Sequence, residues 1–502
     1  MSDGLTVHVR INDAATGQPT PVRIRFEAQG RSFAPFGRLD VFPTASGVDV
    51  GGHLQLGSQQ FYYIDGTCEV RLPAGEVTIE ATKGPEYAPL RKVVTLAPGQ
   101  ISLRLAIERH TDLRAQGWYS GDTHVLCLDP FAALLEGAAE DVAVVNVLAH
   151  ERVPASSPGQ HGLPNILDFS GQAPALEKPG HLVVVNTLNV HPVLGTLGLL
   201  NCHRAVYPLR AGDEVDDWTL ADWCDQCHRK KTGLVVWAVG QASSLPLPGR
   251  LEACPTGERL RSEALADLIL GRIDAFEVTF PDLADWYQLL EAGLHVPLVG
   301  GSGKDSNGVA VGRVRTYARL NEEFNYTNWI EAVRAGRTFV TNGPLLSLSV
   351  NGQGPGAVLR IAPRETVRLR AEVNSVLPFQ DVSLLVNGAV VASTKSGDGT
   401  SASVEAEWTA DASAWVAACC RSAPQAPGEP AFAQSSPVYI EVEGRPFRPA
   451  VAVVESLTDH LERVADWVRT AAKCDNERYR ENLVSVFTSA RERLLRGKGS
   501  DG

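Results

Sequence analysis

The sequence predicts an α/β chain: a distorted (β/α) barrel flanked by two β-sandwiches, with a helical hairpin at the C-terminus. Three observations carry that expectation. The chain has 502 residues, more than the ~250–300 at which a single core stops growing, so about three domains are expected. Apolar residues alternate with period two near the start and again after residue 345, and between these regions short continuous apolar runs are separated by helical patterns. A content of 44% hydrophobic and 21% charged residues, with 46 glycines and 31 prolines, describes a turn-rich globular chain and rules out disorder, collagen or coiled coil for the whole.

Residues 1–108 read as a small antiparallel β-sandwich. Val7, Val9, Ile11, then Val22, Ile24, Phe26, then Val77, Ile79, Ala81, and finally Ile101, Leu103, Leu105 each mark one buried face, with Gly/Pro turns between.

Residues 109–345 change period. The runs Val142–Leu148, Leu182–Asn189, Leu197–Asn201, Gly233–Val239, Ile273–Thr279 and Val296–Gly300 suit strands buried on both faces. Helical patterns at Pro130–Glu140, Leu220–Lys230, Arg259–Leu270 and Leu283–Ala292 lie between them. Strands alternating with helices imply a parallel sheet, and about seven such units in ~235 residues suit a barrel better than an open sheet.

Residues 346–445 return to alternation at Leu346, Leu348, Val350, at Val367, Leu369, Ala371, Val373, and at Val382, Leu384, Val386 before Asn387-Gly388, a strong hairpin signal. This is the second β-sandwich. In residues 446–502, Val454, Leu457, Leu461, Val464, Val468 and Tyr479, Leu483, Val486, Ala490, Leu494 recur at helical spacing, with a break near Lys473–Asn476. The expected helical hairpin either packs on the barrel or forms a homo-oligomer contact.

Acidic residues outnumber basic ones 58 to 46, a net charge of −12. The chain lacks the basic surplus that drives binding to phosphate backbones, so nucleic acid is not an expected partner. The start, MSDGLTVHVRIND, carries no positive n-region and no apolar core, and no stretch reaches the ~18 apolar residues of a membrane span. A cytoplasmic protein without membrane contact is expected. Nine cysteines, an odd number without framework spacing, fit reduced thiols.

Nine of the twelve histidines fall between His110 and His295. His150 directly follows one barrel run, and Gly301-Ser302-Gly303-Lys304-Asp305-Ser306-Asn307 directly follows another. In α/β barrels the C-terminal strand ends carry the reacting groups, because the loops there converge on one mouth. Asp122 and His124 stand two apart on an expected strand and so share a face, a pairing that suits a divalent metal.

Two other passages invite chemistry and support less. Cys224-Asp225-Gln226-Cys227-His228 has the spacing of c-type haem attachment but lies on an expected helix, and reads as an exposed helix with incidental thiols. The Gly301–Asp305 turn lacks a Walker glycine at Leu298 and has Asp305 in place of Ser/Thr. It stays a candidate anion or substrate site through Lys304, Asp305 and its backbone N–H groups.

Taken together, these passages carry two resemblances. Asp65-Gly66 and Leu72-Pro73-Ala74-Gly75-Glu76-Val77 resemble the transthyretin-like modules found beside many hydrolases. Gly121-Asp122-Thr123-His124-Val125, Gly233–Ala238, Val296–Ser302 and Gly336-Arg337-Thr338-Phe339-Val340-Thr341-Asn342-Gly343-Pro344 resemble the CehA/McbA-type metallohydrolases of the PHP (polymerase and histidinol phosphatase) superfamily. That resemblance implies a PHP-like distorted barrel over residues 109–345 holding divalent zinc, manganese or iron. It differs at expected ligand positions, where Leu126, Thr196, Val239-Gly240 and Gly303 stand. The remaining candidate ligands are His124, His150, Asp305 and Asp122, with His191, His203 and Glu277 as recruits for a second ion.

Two functions follow as expectations. One is a metal-dependent hydrolase of an ester, amide, carbamate or phosphoester, in which metal-bound water attacks while Lys304 stabilises the oxyanion and His203 and Asn307 bind the small-molecule substrate. The other is a degenerate, non-catalytic barrel that binds a ligand such as a saccharide, with Trp118 and Tyr119 at its mouth.

Overall fold

The computed structural model describes residues 4–36, 42–43, 49–152, 162–191, 193–211, 218–238, 262–279, 283–422, 430–472, 474 and 476–498. His161, Val239, Gly240, Cys254, Arg259 and Lys473 lie outside the described residues. The chain is a mixed α/β fold, mostly sheet.

The N-terminal module packs a three-stranded sheet against a larger one. Leu5–Asp13 is flanked by Thr67–Leu72 and Ser102–Ile107, and Val22–Ala28 and Gly75–Thr82 lie at the centre of the second sheet. Val7, Val9, Ile11, Ile24, Phe26, Val77 and Ile79 are fully buried in one core, as the alternation requires. Two expectations are corrected. Leu5–Asp13 runs parallel to Ser102–Ile107, with Val9 opposite Leu103, and pairs antiparallel with Thr67–Leu72 along its other edge. Ile101 precedes its strand and is 74% exposed.

In the central region Trp118–Val125, Val144–Ala149 and His181–His191 pair parallel. So do Leu234–Ala238, Ala275–Val278 and Leu298–Gly300. Between the two sets, Gly195–Leu200 pairs antiparallel with both His181–His191 and Leu234–Ala238. The all-parallel expectation fails there because only residues 192–194 separate the two strands, and a parallel crossover needs about a dozen. On the other flank Arg315–Arg319 adds antiparallel to Trp118–Val125, and Thr338–Thr341 adds antiparallel to Arg315–Arg319.

The sheet curls into a half-barrel. Its edge strand Leu298–Gly300 meets the far flank through hydroxyls and not through a backbone ladder: the Gly300 N–H donates to Thr316 Oγ1 at 2.7 Å, and Thr338 Oγ1 donates to the Leu298 carbonyl at 2.8 Å. The sheet also does not end near residue 345. Thr338–Thr341 pairs with Phe432–Ser435, and the hydrogen-bonded order continues through Ala414–Arg421 to Asp381–Val386 and Ala389–Lys395. One sheet therefore belongs to both the central region and the second sandwich. Leu345–Val350, Thr366–Asn374 and Ser401–Thr409 form the opposing layer. Asn387 and Gly388 take φ of 49° and 80° in the expected hairpin turn.

Helix α1 (Pro130–Ala139) begins on Asp129, whose carboxylate accepts the Phe131 and Ala132 N–H groups. Helix α2 (Leu220–His228) begins on a Thr219/Asp222 capping box. Helices α3 (Ser262–Leu270), α4 (Ala284–Glu291) and α5 (Tyr326–Arg334) complete the central layer. The hairpin of α6 (Val451–Thr470) and α7 (Glu477–Lys498) buries Leu457, Leu461, Val464, Val468, Phe487 and Ala490 in one core with Leu265 and Ile269 of α3 and Trp286 of α4. Its apolar face is covered by this chain itself, so that face is not what an oligomer contact would use. None of the described helices is long and apolar enough to cross a membrane.

Buried ions join the first module to the central sheet. Arg109 lies 2.7 Å from Glu86 and 3.1 Å from Asp141, and Arg114 lies 2.9 Å from Asp141. The Tyr317 hydroxyl donates to Glu86 at 3.1 Å.

Candidate functional site

The strand Trp118–Val125 carries Asp122 and His124 to the C-terminal rim of the half-barrel, where both are fully buried. Asp122 Oδ1 accepts the His124 N–H at 3.0 Å and the Ser302 N–H at 2.9 Å, and Oδ2 accepts the Gly312 N–H at 2.7 Å. Burial pushes its pKa up against the opposing pull of these donors. The carboxylate thus anchors the loop after Leu298–Gly300 to the first strand of the sheet.

His124 Nδ1 lies 2.8 Å from Glu277 Oε1, and Glu277 Oε2 accepts the Thr123 hydroxyl at 2.6 Å. Burial works against a charged imidazole here, but Glu277, with Asp122 and Asp305 adding to it, outweighs burial and raises the His124 pKa. His124 Nε2 is buried with no hydrogen-bond partner among the described residues. Gly301 is required beside the pair, since a Cβ there would stand 2.6 Å from His124 Cβ and 2.7 Å from Glu277 Oε2. The sequence signal for Glu277 was an acid inside an apolar strand, and it pairs with an imidazole instead of joining a second metal.

Lys304 is not at an open mouth. Its side chain is fully buried, and Nζ donates to the Val309 carbonyl at 2.7 Å and the Ser306 carbonyl at 3.2 Å, with Glu136 Oε2 at 3.3 Å. The two carbonyls take ammonium protons, the Glu136 carboxylate balances the charge, and full burial keeps the group away from an oxyanion at the mouth. Asn307 is likewise engaged: its Oδ1 accepts the Gly51 N–H at 2.7 Å, and its Nδ2 lies 3.1 Å from His53 Nε2. Both residues fasten the loop, Lys304 to helix α1 and Asn307 to the N-terminal module.

The other candidates are more open. Asp305 is exposed, yet close enough to His124 to raise its pKa. His150 is half-buried, with Nδ1 3.2 Å from the Leu148 carbonyl. Burial, with His124 adding to it, holds its pKa down. His203 is exposed beyond the strand Gly195–Leu200. His191 Nδ1 accepts the Val193 and Leu194 N–H groups. Trp118 is buried edge-on against Phe339 at 5.2 Å, so it is a core residue and not a mouth residue, whereas Tyr119 stacks on Phe324 at 4.3 Å. Leu126 lies in the core, and Thr196 on a buried stretch of strand.

The residues present do not fit a divalent ion shared by His124, His150, Asp305 and Asp122. Among the described residues no three His, Cys, Asp or Glu side chains are placed to hold one. The donor chemistry of Asp122 agrees: both of its oxygens already accept backbone N–H groups. The thiol passage also differs from expectation. Cys224 and Cys227 face the core, and Cys227 Sγ lies 3.1 Å from Cys202 Sγ. His228 Nε2 is held by Asp274 at 2.7 Å.

No family model matches this chain, and no curated protein matches it. Among solved structures there is a likeness to one described as the crystal structure of the C-terminal domain of Wzt, at 11% identity over 20% of this chain and 73% of that chain. Its TM-score of 0.15 carries no argument.

Proposed function

We propose that this chain is a small-molecule-binding protein on a PHP-like scaffold whose hydrolytic metal centre has been dismantled. The observation that supports this most is the engagement of Asp122, whose two carboxylate oxygens accept three backbone N–H groups. In this reading the loop after Leu298–Gly300 is fastened by Lys304 and Asn307, while His124 Nε2, Asp305 and His150 supply the polar contacts to a ligand at the rim. The test is the metal content of protein purified without chelator. Less than about a tenth of an equivalent of zinc, manganese or iron is expected, whereas near-stoichiometric metal that is lost in His124→Ala overturns the reading.

A second reading, the metal-dependent hydrolase, is favoured by one observation, the unpartnered Nε2 of His124. A metal-bound imidazole commonly has its other nitrogen held by a carboxylate, as Nδ1 is here. The same metal analysis decides between the two.

A further inference from the structure

Two buried thiols from different elements meet at the end of the half-barrel away from the His124 rim. The strand Gly195–Leu200 starts opposite His191, at the rim, and runs away from it, so Cys202, just past its end, lies at the far side. Cys227 lies in the last turn of α2. The Cys202 thiol donates to Cys227 Sγ at 3.1 Å, and the two residues are 2% and 1% exposed. A disulfide holds its sulfurs about 2.05 Å apart, so these two need to close by only about 1 Å.

The surroundings hold the pair together. Arg204 donates to Gln226 Oε1 at 2.8 Å, which joins the same two segments beside the thiols, and Trp223 Nε1 on α2 donates to the Pro208 carbonyl at 2.9 Å. Backbone also closes on both cysteines: a Cβ at Gly233 would stand 2.5 Å from Cys227 Sγ, and one at Gly171 would stand 2.1 Å from the Cys202 carbonyl oxygen. Cys224 is buried too, but it sits on the same helix as Cys227. Burial, with the Cys202 hydrogen bond adding to it, pushes the Cys227 thiol pKa well above that of a free thiol. Thiol chemistry at the pair is therefore slow once α2 has docked, and it belongs to the stage at which the chain folds.

We propose that Cys202 and Cys227 form a disulfide when this chain folds in the presence of a small disulfide oxidant such as glutathione disulfide. One protein thiolate attacks a sulfur of the oxidant, forming a mixed disulfide and releasing one glutathione thiolate, which takes up a proton. The other protein thiolate then attacks the protein sulfur of that mixed disulfide, closing the Sγ–Sγ bond and releasing the second glutathione. Two protein thiols lose two electrons and two protons, and glutathione disulfide is reduced to two thiols. The bond closes a loop over the 24 residues between the two cysteines and ties the last turn of α2 to the end of Gly195–Leu200.

The test is cell-free synthesis of the full-length chain in a glutathione disulfide buffer. The soluble fraction is alkylated in denaturant without reductant and its peptides are mapped by mass spectrometry, and circular dichroism before denaturation checks that it has folded as the protein made under reductant does. Cys227 has eight possible partners among the nine cysteines, so pairing without a built geometry scatters. A Cys202–Cys227 link in more than half of the folded molecules is expected. Cys224→Ser should keep that link, and Cys202→Ser should leave Cys227 alkylated. Alkylation of both Cys202 and Cys227 in half of the folded molecules or more, or a predominant link from Cys227 to another cysteine, overturns the proposal.

Discussion

His124 Nδ1 and Glu277 Oε1 stand 2.8 Å apart, with neither side chain more than 1% exposed. Four strands separate their own strands in the hydrogen-bonded order of the sheet, so the contact exists only because the sheet curls. The pair is therefore a clasp across the half-barrel. Removing one partner of a buried pair leaves the other uncompensated, typically a loss of about 3–5 kcal/mol. Glu277→Gln should lower unfolding stability by about 3 kcal/mol in urea titration. A change within the error of such a measurement would show that the clasp carries no load.

Lys304 and Glu136 make a comparable pair between the loop and α1, with both side chains fully buried at 3.3 Å. Burial pushes the Glu136 carboxyl up while the Lys304 ammonium pulls it down. Lys304→Met should destabilise by about 3–5 kcal/mol, and the double variant Lys304→Met/Glu136→Leu should recover much of that loss, since no buried charge is then left alone. Thermal unfolding of the three proteins gives the comparison. A double variant no more stable than Lys304→Met would refute the coupling.

His181 sets an acid limit on stability. Burial, with Arg114 adding to it, pushes its pKa from 6.5 down to about 3, and Nδ1 lies 2.9 Å from the Val142 carbonyl. Below 6.5 the unfolded chain takes up a proton that the folded imidazole refuses, so this contribution is present above that pH and is lost as pH falls toward 3. His181→Asn should flatten the fall in stability between these limits by roughly 2–5 kcal/mol, read from urea midpoints at several pH values. An unchanged pH profile would count against a neutral buried His181.

Cys202, Cys224 and Cys227 are buried, and burial raises the thiol pKa of Cys224 and Cys227 well above that of a free thiol. Since the thiolate is the reacting species, all three should resist a thiol reagent in the native protein, as should Cys68, whose thiol burial pushes up to about 12, while half-buried Cys474 reacts. Peptide mapping after timed labelling distinguishes them. Native labelling of Cys227 at the rate of Cys474 would place that helix face outside the core.

Much of the architecture was legible because burial writes itself into periodicity. The alternation at Val7, Val9 and Ile11, the runs around Val144–Ala149 and Ala275–Val278, the Asn387-Gly388 turn and the helical spacing of Leu457, Leu461 and Val464 all became the elements they indicated. Strand direction was not legible, since a continuous apolar run reads alike in either sense. The His181–Leu200 hairpin, and the sheet that continues past residue 345, belong to that gap.

The candidate site divides in the same way. Sequence alone marked Asp122, His124, Lys304 and Asn307 as polar groups beside strand ends, and it marked Leu126 and Thr196 as non-ligating residues where the resembled family has ligands. Only the tertiary structure decided which partners those groups meet. A carboxylate, an imidazole and an ammonium at a rim can hold a metal, bind a substrate or close a fold, and the difference lies in which lone pairs and protons are already engaged. Here Asp122 meets the N–H groups of Ser302 and Gly312, His124 meets Glu277, and Lys304 meets Glu136. Each of these contacts, the Lys304–Glu136 link at 168 residues included, spans more than 150 residues. No local pattern encodes separations of that length, because they arise only when the sheet curls and its two ends meet.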